Sequence, residues 1–296
     1  MEHSDDQKRL TAFDEHRGLL FSIAYRMLGS VADAEDILQE TFIRWLQAAD
    51  EDIRSPKAFL ITIITRLSIN HLQSARVRCE EYVGQWLPEP LVIGKDNVQA
   101  EETLSIAFLV LLERLSPTER AVFLLREVFD YEYAEIAAAL GQSEANCRQI
   151  LRRARQHVRA ERPRFKPTAA EHDELLERFQ RAALSGDVGA LESLLSADVV
   201  LHTDGGGKAP ALPNLVHGAN NVARAIIGGM ARQTPRNLVE RMVQINGESG
   251  LVTYLNGRPF GVFTIQVRDR RIAAIYGITN PDKLAHLPGL VSQTPN

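Results

Sequence analysis

The chain has 296 residues and a formal net charge of −4, with 45% hydrophobic and 24% charged residues. This length predicts two or three domains that each bury a core, and the composition is that of a globular protein in water. The net charge excludes a general positive field, but charge is uneven: residues 148–166 hold eight Lys or Arg and one acid, whereas residues 33–40 hold four acids and no base. Two surfaces of opposite sign predict two different partners.

The two cysteines and the N-terminus bear on the cellular compartment. Cys79 and Cys147 lack the spacing of a zinc site, which predicts reduced thiols. The first ten residues are polar and do not have the apolar stretch of a signal peptide, and no apolar run is long enough to span a bilayer. These features predict a cytoplasmic protein with no membrane segment, no metal and no cofactor.

Residues 10–78 have the pattern of a helical domain. Apolar residues recur at helical spacing in 19–28 and in 37–46, on either side of a Gly-Ser turn. Ser55 followed by Pro56 predicts the start of a further helix, which runs to about Arg78.

Residues 79–100 form a predicted linker whose composition is unusual. Gly84, Pro88 and Pro90 interrupt regular structure. The same stretch contains Trp86 and Leu87, apolar side chains that a solvated connector does not need. We therefore expect this linker to bind another surface of the protein.

Residues 101–162 form a second predicted helical domain. Within it, residues 133–158 have the pattern of a DNA-binding helix-turn-helix. Its turn is predicted at Gly141, and Ser143 is predicted to cap its second helix. At 3.6 residues per turn, the inner face of that helix is apolar: Cys147, Ile150, Leu151, Ala154 and Val158. Its outer face carries side chains suited to phosphates and base edges: Arg148, Gln149, Arg152, Arg153 and Arg155. The alternative is an ordinary helical hairpin with a solvated charged face.

Residues 169–290 have the pattern of an α+β domain. Helices are predicted at 171–185, 187–196 and 219–231, and strands at 238–245, 251–255, 261–267 and 272–278. Asn-Gly pairs at 246–247 and 256–257 predict tight turns between strands, so the strands form a meander.

The chain resembles bacterial sigma factors of the extracytoplasmic-function (ECF) type. The stretch L-S-P-T-E-R at 115–120, followed by the helix-turn-helix, resembles sigma region 4. Residues 33–46 resemble region 2.2, and R-L-S-I-N at 66–70 resembles regions 2.3 and 2.4. The resemblance covers about residues 11–160 and implies promoter DNA and core RNA polymerase, through its clamp helices and flap, as partners.

The resemblance also implies roles for individual residues. Core polymerase would be bound by one face of the helix at 33–46: Asp36, Gln39, Glu40 and Ile43. The −10 element would be bound by Asn70, Arg66 and Arg54, with pairing inside the helical bundle as the alternative for Arg66. The −35 element would be read by the outer face of the helix-turn-helix.

The third domain resembles the SnoaL-like, nuclear-transport-factor-like cone. A sigma subgroup with such a fused domain shares three motifs, found here at 86–90 (W-L-P-E-P), 204–208 (D-G-G-G-K) and 280–284 (N-P-D-K-L). We expect these motifs to form one regulatory contact between linker and domain. Its predicted residues are Trp86, Leu87, Pro88, Asp204, Gly205, Gly206, Gly207, Lys208, Asn280, Pro281, Asp282 and Lys283.

Three alternatives fit part of the pattern. Enzymes share the cone fold, and acid–base catalysis would use His202, Asp204, His217 and Tyr276. A small-molecule effector that binds in the cone is a further alternative. A transcriptional regulator that binds duplex DNA without polymerase is another, but such a protein would not need the acidic surface at 33–46. The prediction is therefore a sigma factor, not an enzyme, with a bifunctional protein as the alternative.

Overall fold

The computed structural model describes residues 2–48, 53–78, 82–92, 104–159, 167–233 and 237–290. The chain divides into two compact units. One contains Met1–Glu80 and Leu111–Arg162, and the other contains Glu81–Val110 and Pro163–Asn296. Within the described ranges, no helix is long and apolar enough to cross a membrane.

The first unit is all helical. Its elements are α1 (Glu2–Leu28), α2 (Val31–Gln47), α3 (Pro56–Arg78), the end of α4 (Ile106–Leu112), α5 (Pro117–Glu127), α6 (Tyr133–Leu140) and α7 (Glu144–Arg159). Helices α1, α2 and α3 pack together, as do α5, α6 and α7, and α3 also packs against α5 and α6. The two predicted all-α domains are thus present.

Local signals in the sequence place several helix ends. The Ser116 hydroxyl accepts from the Glu119 amide, and the Glu119 carboxylate accepts from the Ser116 amide, which together form a capping box at the start of α5. Gly141 ends α6 with a φ of 65°, the left-handed conformation that glycine adopts at low cost. The turn of the helix-turn-helix therefore lies where the sequence predicts it.

The second unit is built on a six-stranded sheet. Its elements are α8 (Ala169–Ser185), α9 (Val188–Leu194), β1 (Leu195–Asp204), β2 (Val216–His217), α10 (Ala219–Gln233), β3 (Leu238–Ile245), β4 (Glu248–Leu255), β5 (Arg258–Arg268), β6 (Arg271–Ile278) and α11 (Pro281–Leu284). The strand order is β2-β1-β6-β5-β4-β3. All neighbours are antiparallel except β1 and β6, which are parallel. The predicted α+β class and the meander of β3–β6 are confirmed.

The two faces of this sheet carry separate apolar clusters. Side chains of α8, α9 and α10 cover one face, where Leu201 and Ile275 lie. The other face, where Tyr276 lies, is covered by Leu87, Ile106, Leu284 and Leu287. Because side chains alternate along a strand, β4, β5 and β6 each contribute to both clusters. The second face thus binds the linker and the C-terminal tail.

Candidate functional site

Helix α7 presents the predicted basic surface. The five predicted inner residues are all buried, and the five predicted outer residues are all exposed. Arg148 donates to the Glu144 carboxylate at 2.6 Å, and its guanidinium lies 4.7 Å from the centre of the Tyr133 ring. Arg155 donates to Glu127 at 2.6 Å. These neighbours hold two of the outer arginines in defined positions.

Helix α2 presents the predicted acidic surface. Asp36 and Gln39 are exposed, and Glu40 accepts from Arg44 at 2.8 Å in a pair that lies largely in solvent. Ile43 leaves 48% of its surface exposed. The opposite face of α2 is buried through Leu38 and other side chains. The exposed face, with Ile43 beside the acidic residues, is therefore available to a partner that has apolar and basic groups.

The residues predicted for the −10 element lie on or next to helix α3. Asn70 and Arg54 are exposed. The resemblance also implies that the loop at 50–55 forms much of the pocket for a −10 base, and residues 50–52 of this loop lie outside the described residues. The Arg66 guanidinium donates through Nε to the Ala139 carbonyl at 2.7 Å, the contact within the helical bundle that sequence analysis gave as its alternative.

The three motifs meet in one place, which we call the linker dock. It consists of linker residues 82–92, the loop Asp204–Lys208, and residues 280–290, which include α11. All three segments belong to the second unit. Residues from the predicted contact that are far apart in sequence are therefore neighbours in space.

A buried carboxylate lies at the centre of the dock. Asp204 is 0% exposed. It accepts from Lys283 Nζ at 2.7 Å, the Leu87 amide at 2.8 Å, the Tyr82 hydroxyl at 2.6 Å and the Gly206 amide at 3.0 Å. Burial, and then the bond to this carboxylate, raise the pKa of Tyr82. Four donors satisfy a charge that would otherwise be costly to bury.

Lys283 is the counter-ion of this carboxylate and binds the linker in two ways. Its ammonium, on a residue that is only 5% exposed, also donates to the Leu87 carbonyl. It lies 4.2 Å from the centre of the Trp86 ring and 5.2 Å from that of Tyr82. Cation–π attraction at such distances is strengthened by removal from water. Trp86 therefore covers the ammonium and stays partly exposed.

Leu87 is the apolar anchor of the linker. It is 1% exposed and belongs to the apolar cluster on the linker side of the sheet. Pro88 and Pro90 are buried beside it. From the sequence we expected both Trp86 and Leu87 to bind the linker to another surface of the protein. Leu87 is the one of the two that enters the apolar core.

The glycine-rich loop allows close approach of the tail. Gly206 has a φ of 58°, and a Cβ there would lie 2.2 Å from Asn280 Nδ2. Asn280 caps α11 by accepting from the Asp282 amide at 3.1 Å, ahead of Pro281 in the first helical turn. It also donates to the Tyr82 hydroxyl at 3.0 Å. A side chain at position 206 would separate the loop from the tail.

The loop ends on an exposed ion pair. Lys208 pairs with Asp282, and both side chains are more than half exposed. Gly205 and Gly207 flank the loop turn, and a Cβ on Gly207 would lie 3.1 Å from Val83 of the linker. The glycine-rich loop thus contacts both the linker and the tail.

Several dock residues were not predicted. The Asn246 amide donates to the Leu91 carbonyl at 2.8 Å, and the Leu91 amide donates to Asn246 Oδ1 at 2.9 Å. His286 Nε2 lies 2.8 Å from the Pro90 carbonyl. Asn246 was assigned only to a tight turn, and no local signal distinguishes a turn that also binds the linker.

The candidate catalytic residues have different surroundings. Asp204 is enclosed by the dock. His202 stacks on Tyr276 with ring centres 4.9 Å apart, on the linker side of the sheet, and His217 is exposed on β2. Among the described residues, no cluster of three His, Cys, Asp or Glu side chains could hold a metal ion.

Comparisons with known proteins identify the two helical regions. Residues 12–78 match the family Sigma-70 region 2, and residues 105–158 match Sigma-70, region 4. A region 2 followed by a region 4 defines a sigma factor of the sigma-70 class.

Relatives that match along almost the whole chain identify the type of sigma factor. The chain is 39% identical to "ECF RNA polymerase sigma factor SigJ" of Mycobacterium tuberculosis H37Rv over 94% of each chain. It is 29% identical to "Probable ECF RNA polymerase sigma factor SigI" of the same strain, over 92% of this chain and 93% of that one. The crystal structure of SigJ superposes with a TM-score of 0.75 at 36% identity, over 93% of this chain and 98% of that chain. The chain belongs to the ECF RNA polymerase sigma factors, and its two sigma regions imply core RNA polymerase and promoter DNA as partners.

Proposed function

We propose that the C-terminal domain controls this sigma factor in cis by holding the linker between regions 2 and 4. The observation that carries the proposal is the buried Asp204–Lys283 pair, whose members both bind the backbone of Leu87. A linker held at 82–92 has fewer free residues, and this restricts the spacing that the two sigma regions can adopt. That spacing must match the distance between the −10 and −35 elements.

The surfaces of the sigma regions support specific contacts. Asp36, Gln39, Glu40 and Ile43 would bind the clamp helices of core polymerase, and region 4 would bind its flap. Asn70 and Arg54 would contact the −10 element. The outer face of α7 would read the −35 element in the major groove.

We further propose that the C-terminal domain is a regulator and not an enzyme. Asp204, the one carboxylate among the candidate catalytic residues, has all four of its bonds inside the linker dock.

Protease protection of the linker tests the dock. Leu87→Ala removes a side chain from an apolar core and is expected to weaken docking by about 2–5 kcal/mol. Trp86→Ala removes mainly a cation–π contact and is expected to cost about 0.5–2 kcal/mol. The cleavage rate within residues 82–92, followed by mass spectrometry, should therefore rise most in Leu87→Ala. Val83→Ala is the control, because Val83 is 66% exposed. Equal cleavage of the native chain and Leu87→Ala would exclude the proposal.

Substitutions in α7 test its reading of the −35 element. Arg148→Ala or Arg153→Ala should cost about 1–3 kcal/mol and relax preference at particular base pairs, if these side chains bind base edges. Arg155→Ala should weaken binding to all sequences and reduce the salt dependence by about one counterion. The measurement is a binding series over single base-pair changes at two salt concentrations. Equal losses for all three on every sequence would show that α7 contacts phosphates alone.

Two substitutions of Tyr133 form a matched pair of variants for the same series of DNA-binding measurements. Tyr133→Phe keeps a ring beneath Arg148 and should leave the base preference unchanged. Tyr133→Leu removes the ring and should relax preference at the same base pairs as Arg148→Ala, by a smaller factor.

A further inference from the structure

Two turns of the C-terminal sheet have the same sequence and closely similar backbones. Asn246–Gly247 joins β3 to β4, and Asn256–Gly257 joins β4 to β5. In both turns the asparagine and the glycine have positive φ, 51° and 75° in the first turn and 52° and 78° in the second. This is the conformation that an Asn-Gly pair favours in a tight hairpin. The two turns therefore form a matched pair within one sheet.

The two asparagines differ in what surrounds their side chains. Asn246 is 0% exposed. Its Oδ1 accepts from the Leu91 amide at 2.9 Å, and its backbone amide donates to the Leu91 carbonyl at 2.8 Å. Asn256 is exposed, and its Oδ1 accepts from Asn237, which is exposed as well. The linker therefore binds the first turn, whereas the asparagine of the second turn lies in water.

An Asn-Gly pair contains the reactants for a change in its own backbone, and asparagine is among the chemically labile residues. The Gly247 nitrogen attacks Asn246 Cγ and forms a C–N bond that closes a succinimide ring. The Cγ–Nδ2 bond breaks, and Nδ2 leaves as ammonia with the proton of the glycine nitrogen. Water then opens the ring at either carbonyl and gives aspartate or isoaspartate. Water is consumed and ammonia is released in equal amounts, and the reaction needs no oxidant or reductant.

The docked linker opposes this reaction in two ways. Attack by the glycine nitrogen requires the Asn246 side chain to turn toward Gly247, which breaks the bond from the Leu91 amide to Oδ1. Ring opening requires water, and the side chain is fully buried. Conversion should therefore proceed from molecules whose linker has left the turn, at a rate set by their fraction.

The products fit the docked turn poorly. Isoaspartate places an extra carbon in the main chain, so the loop loses the two-residue geometry that pairs Ile245 with Glu248. Ile245 also bridges to Val92 of the linker and belongs to the apolar cluster on the linker side of the sheet. Aspartate carries a charge at a position that is 0% exposed, and such a charge is costly to bury. Both products therefore disfavour return of the linker.

We infer that Asn246–Gly247 is a modification site that the linker protects. The site is stable while the linker is docked, converts to isoaspartate or aspartate once the linker is released, and then keeps the linker released. The inference rests on the proposed docking of the linker and adds a chemical consequence to its release. A reversible contact thereby becomes a one-way change that requires no second protein.

Peptide mapping of the full-length chain during incubation at neutral pH tests the protection. Mass spectrometry follows conversion at positions 246 and 256 in the same sample, so Asn256 is an internal control. In the native chain, Asn246 should convert at least about tenfold more slowly than Asn256, since 1.4 kcal/mol of docking is enough for that factor. Leu87→Ala weakens docking and should raise the rate at Asn246 by at least about tenfold, toward the rate at Asn256.

Two further variants grade the result. Trp86→Ala should give a rate at Asn246 between those of the native chain and Leu87→Ala. Val83→Ala should leave the native rate unchanged, because Val83 is 66% exposed. The rate at Asn256 should be the same in all four chains, which also shows that the sheet is folded in each of them.

Two substitutions test the effect of the product on the linker. Asn246→Asp installs the aspartate in a freshly made chain and should raise the cleavage rate within residues 82–92 by about tenfold or more. Asn256→Asp makes the same change in the exposed turn and should leave that cleavage rate unchanged. Native chain that has converted at position 246, isolated by ion exchange, should be cleaved at least as fast as Asn246→Asp.

The outcomes separate this inference from the proposed function. Equal rates at positions 246 and 256 in the native chain would overturn the inference. An unchanged rate at Asn246 in Leu87→Ala, while cleavage of the linker rises, would also overturn it and would leave the proposed docking intact. If neither the rate nor the cleavage changes, the docking proposal fails and the inference fails with it. Native cleavage in Asn246→Asp would show that the product does not keep the linker released.

Discussion

Replacement of Lys283 by methionine is expected to release the linker from the C-terminal domain. The substitution leaves the Asp204 carboxylate, which is 0% exposed, without its counter-ion. Removal of one partner from a buried ion pair costs about 3–5 kcal/mol. Since 1.4 kcal/mol is a factor of ten, the docking equilibrium should shift by a factor of about 100 to about 4,000. Cleavage of residues 82–92 and single-round transcription are the two measurements.

Lys208→Met is the matched control for this substitution. It removes the same type of charge from a pair in the same dock, but Lys208 and Asp282 are 58% and 62% exposed. An exposed pair is worth about 0–1 kcal/mol, so the control should dock almost as the native chain does. Asp204→Asn combined with Lys283→Met removes both charges and should recover part of the loss. Equal effects of Lys283→Met and Lys208→Met would show that the buried pair does not hold the linker.

Transcription reports what release of the linker does to the sigma factor. Truncation before Asn280 removes the tail segment of the dock and leaves β1–β6 in place, so we expect transcription to rise together with linker cleavage. Deletion of everything after Lys166 should instead lower transcription, because Leu87 and Ile106 then lose the apolar surface that covers them. A truncated chain whose linker stays protected would show that the tail is not needed for docking.

The second large effect is expected on the acidic face of α2. Gln39→Ala combined with Glu40→Ala should abolish transcription and leave the unfolding temperature unchanged. Gln39 is exposed, and the ion pair observed for Glu40 is the one with the exposed Arg44. Because exposed polar groups and exposed ion pairs add little to stability, neither side chain contributes much to the fold. Truncation of charged and polar groups at an interface costs about 2–5 kcal/mol of binding. Affinity for core polymerase and run-off transcription are the measurements.

Gln7→Ala combined with Glu15→Ala is the matched control for the acidic face. It changes the same two residue types at exposed positions of α1. This control should bind core polymerase as the native chain does. Native affinity in Gln39→Ala with Glu40→Ala would mean that α2 does not supply the polymerase-binding surface.

Sequence alone determined the helical domains and the inner and outer faces of α7. The reason is that these features depend on signals within a few residues: the capping box at Ser116, the glycine at 141, and apolar residues every three or four positions. Part of the meander follows from the same kind of signal, since Asn-Gly turns join β3 to β4 and β4 to β5. The shared motifs at 86–90, 204–208 and 280–284 also indicated where the linker binds.

The tertiary structure alone decided which side chains meet. Asp204 was a candidate both for catalysis and for the dock, and only the folded chain buries it beside Lys283, 79 residues away in sequence. Arg66 was a candidate for DNA and for the bundle, and its partner, the Ala139 carbonyl, lies 73 residues along the chain. The parallel pairing of β1 with β6 has no local signal either. Such contacts join segments that sequence periodicity treats independently, so their geometry arises only when the whole chain packs.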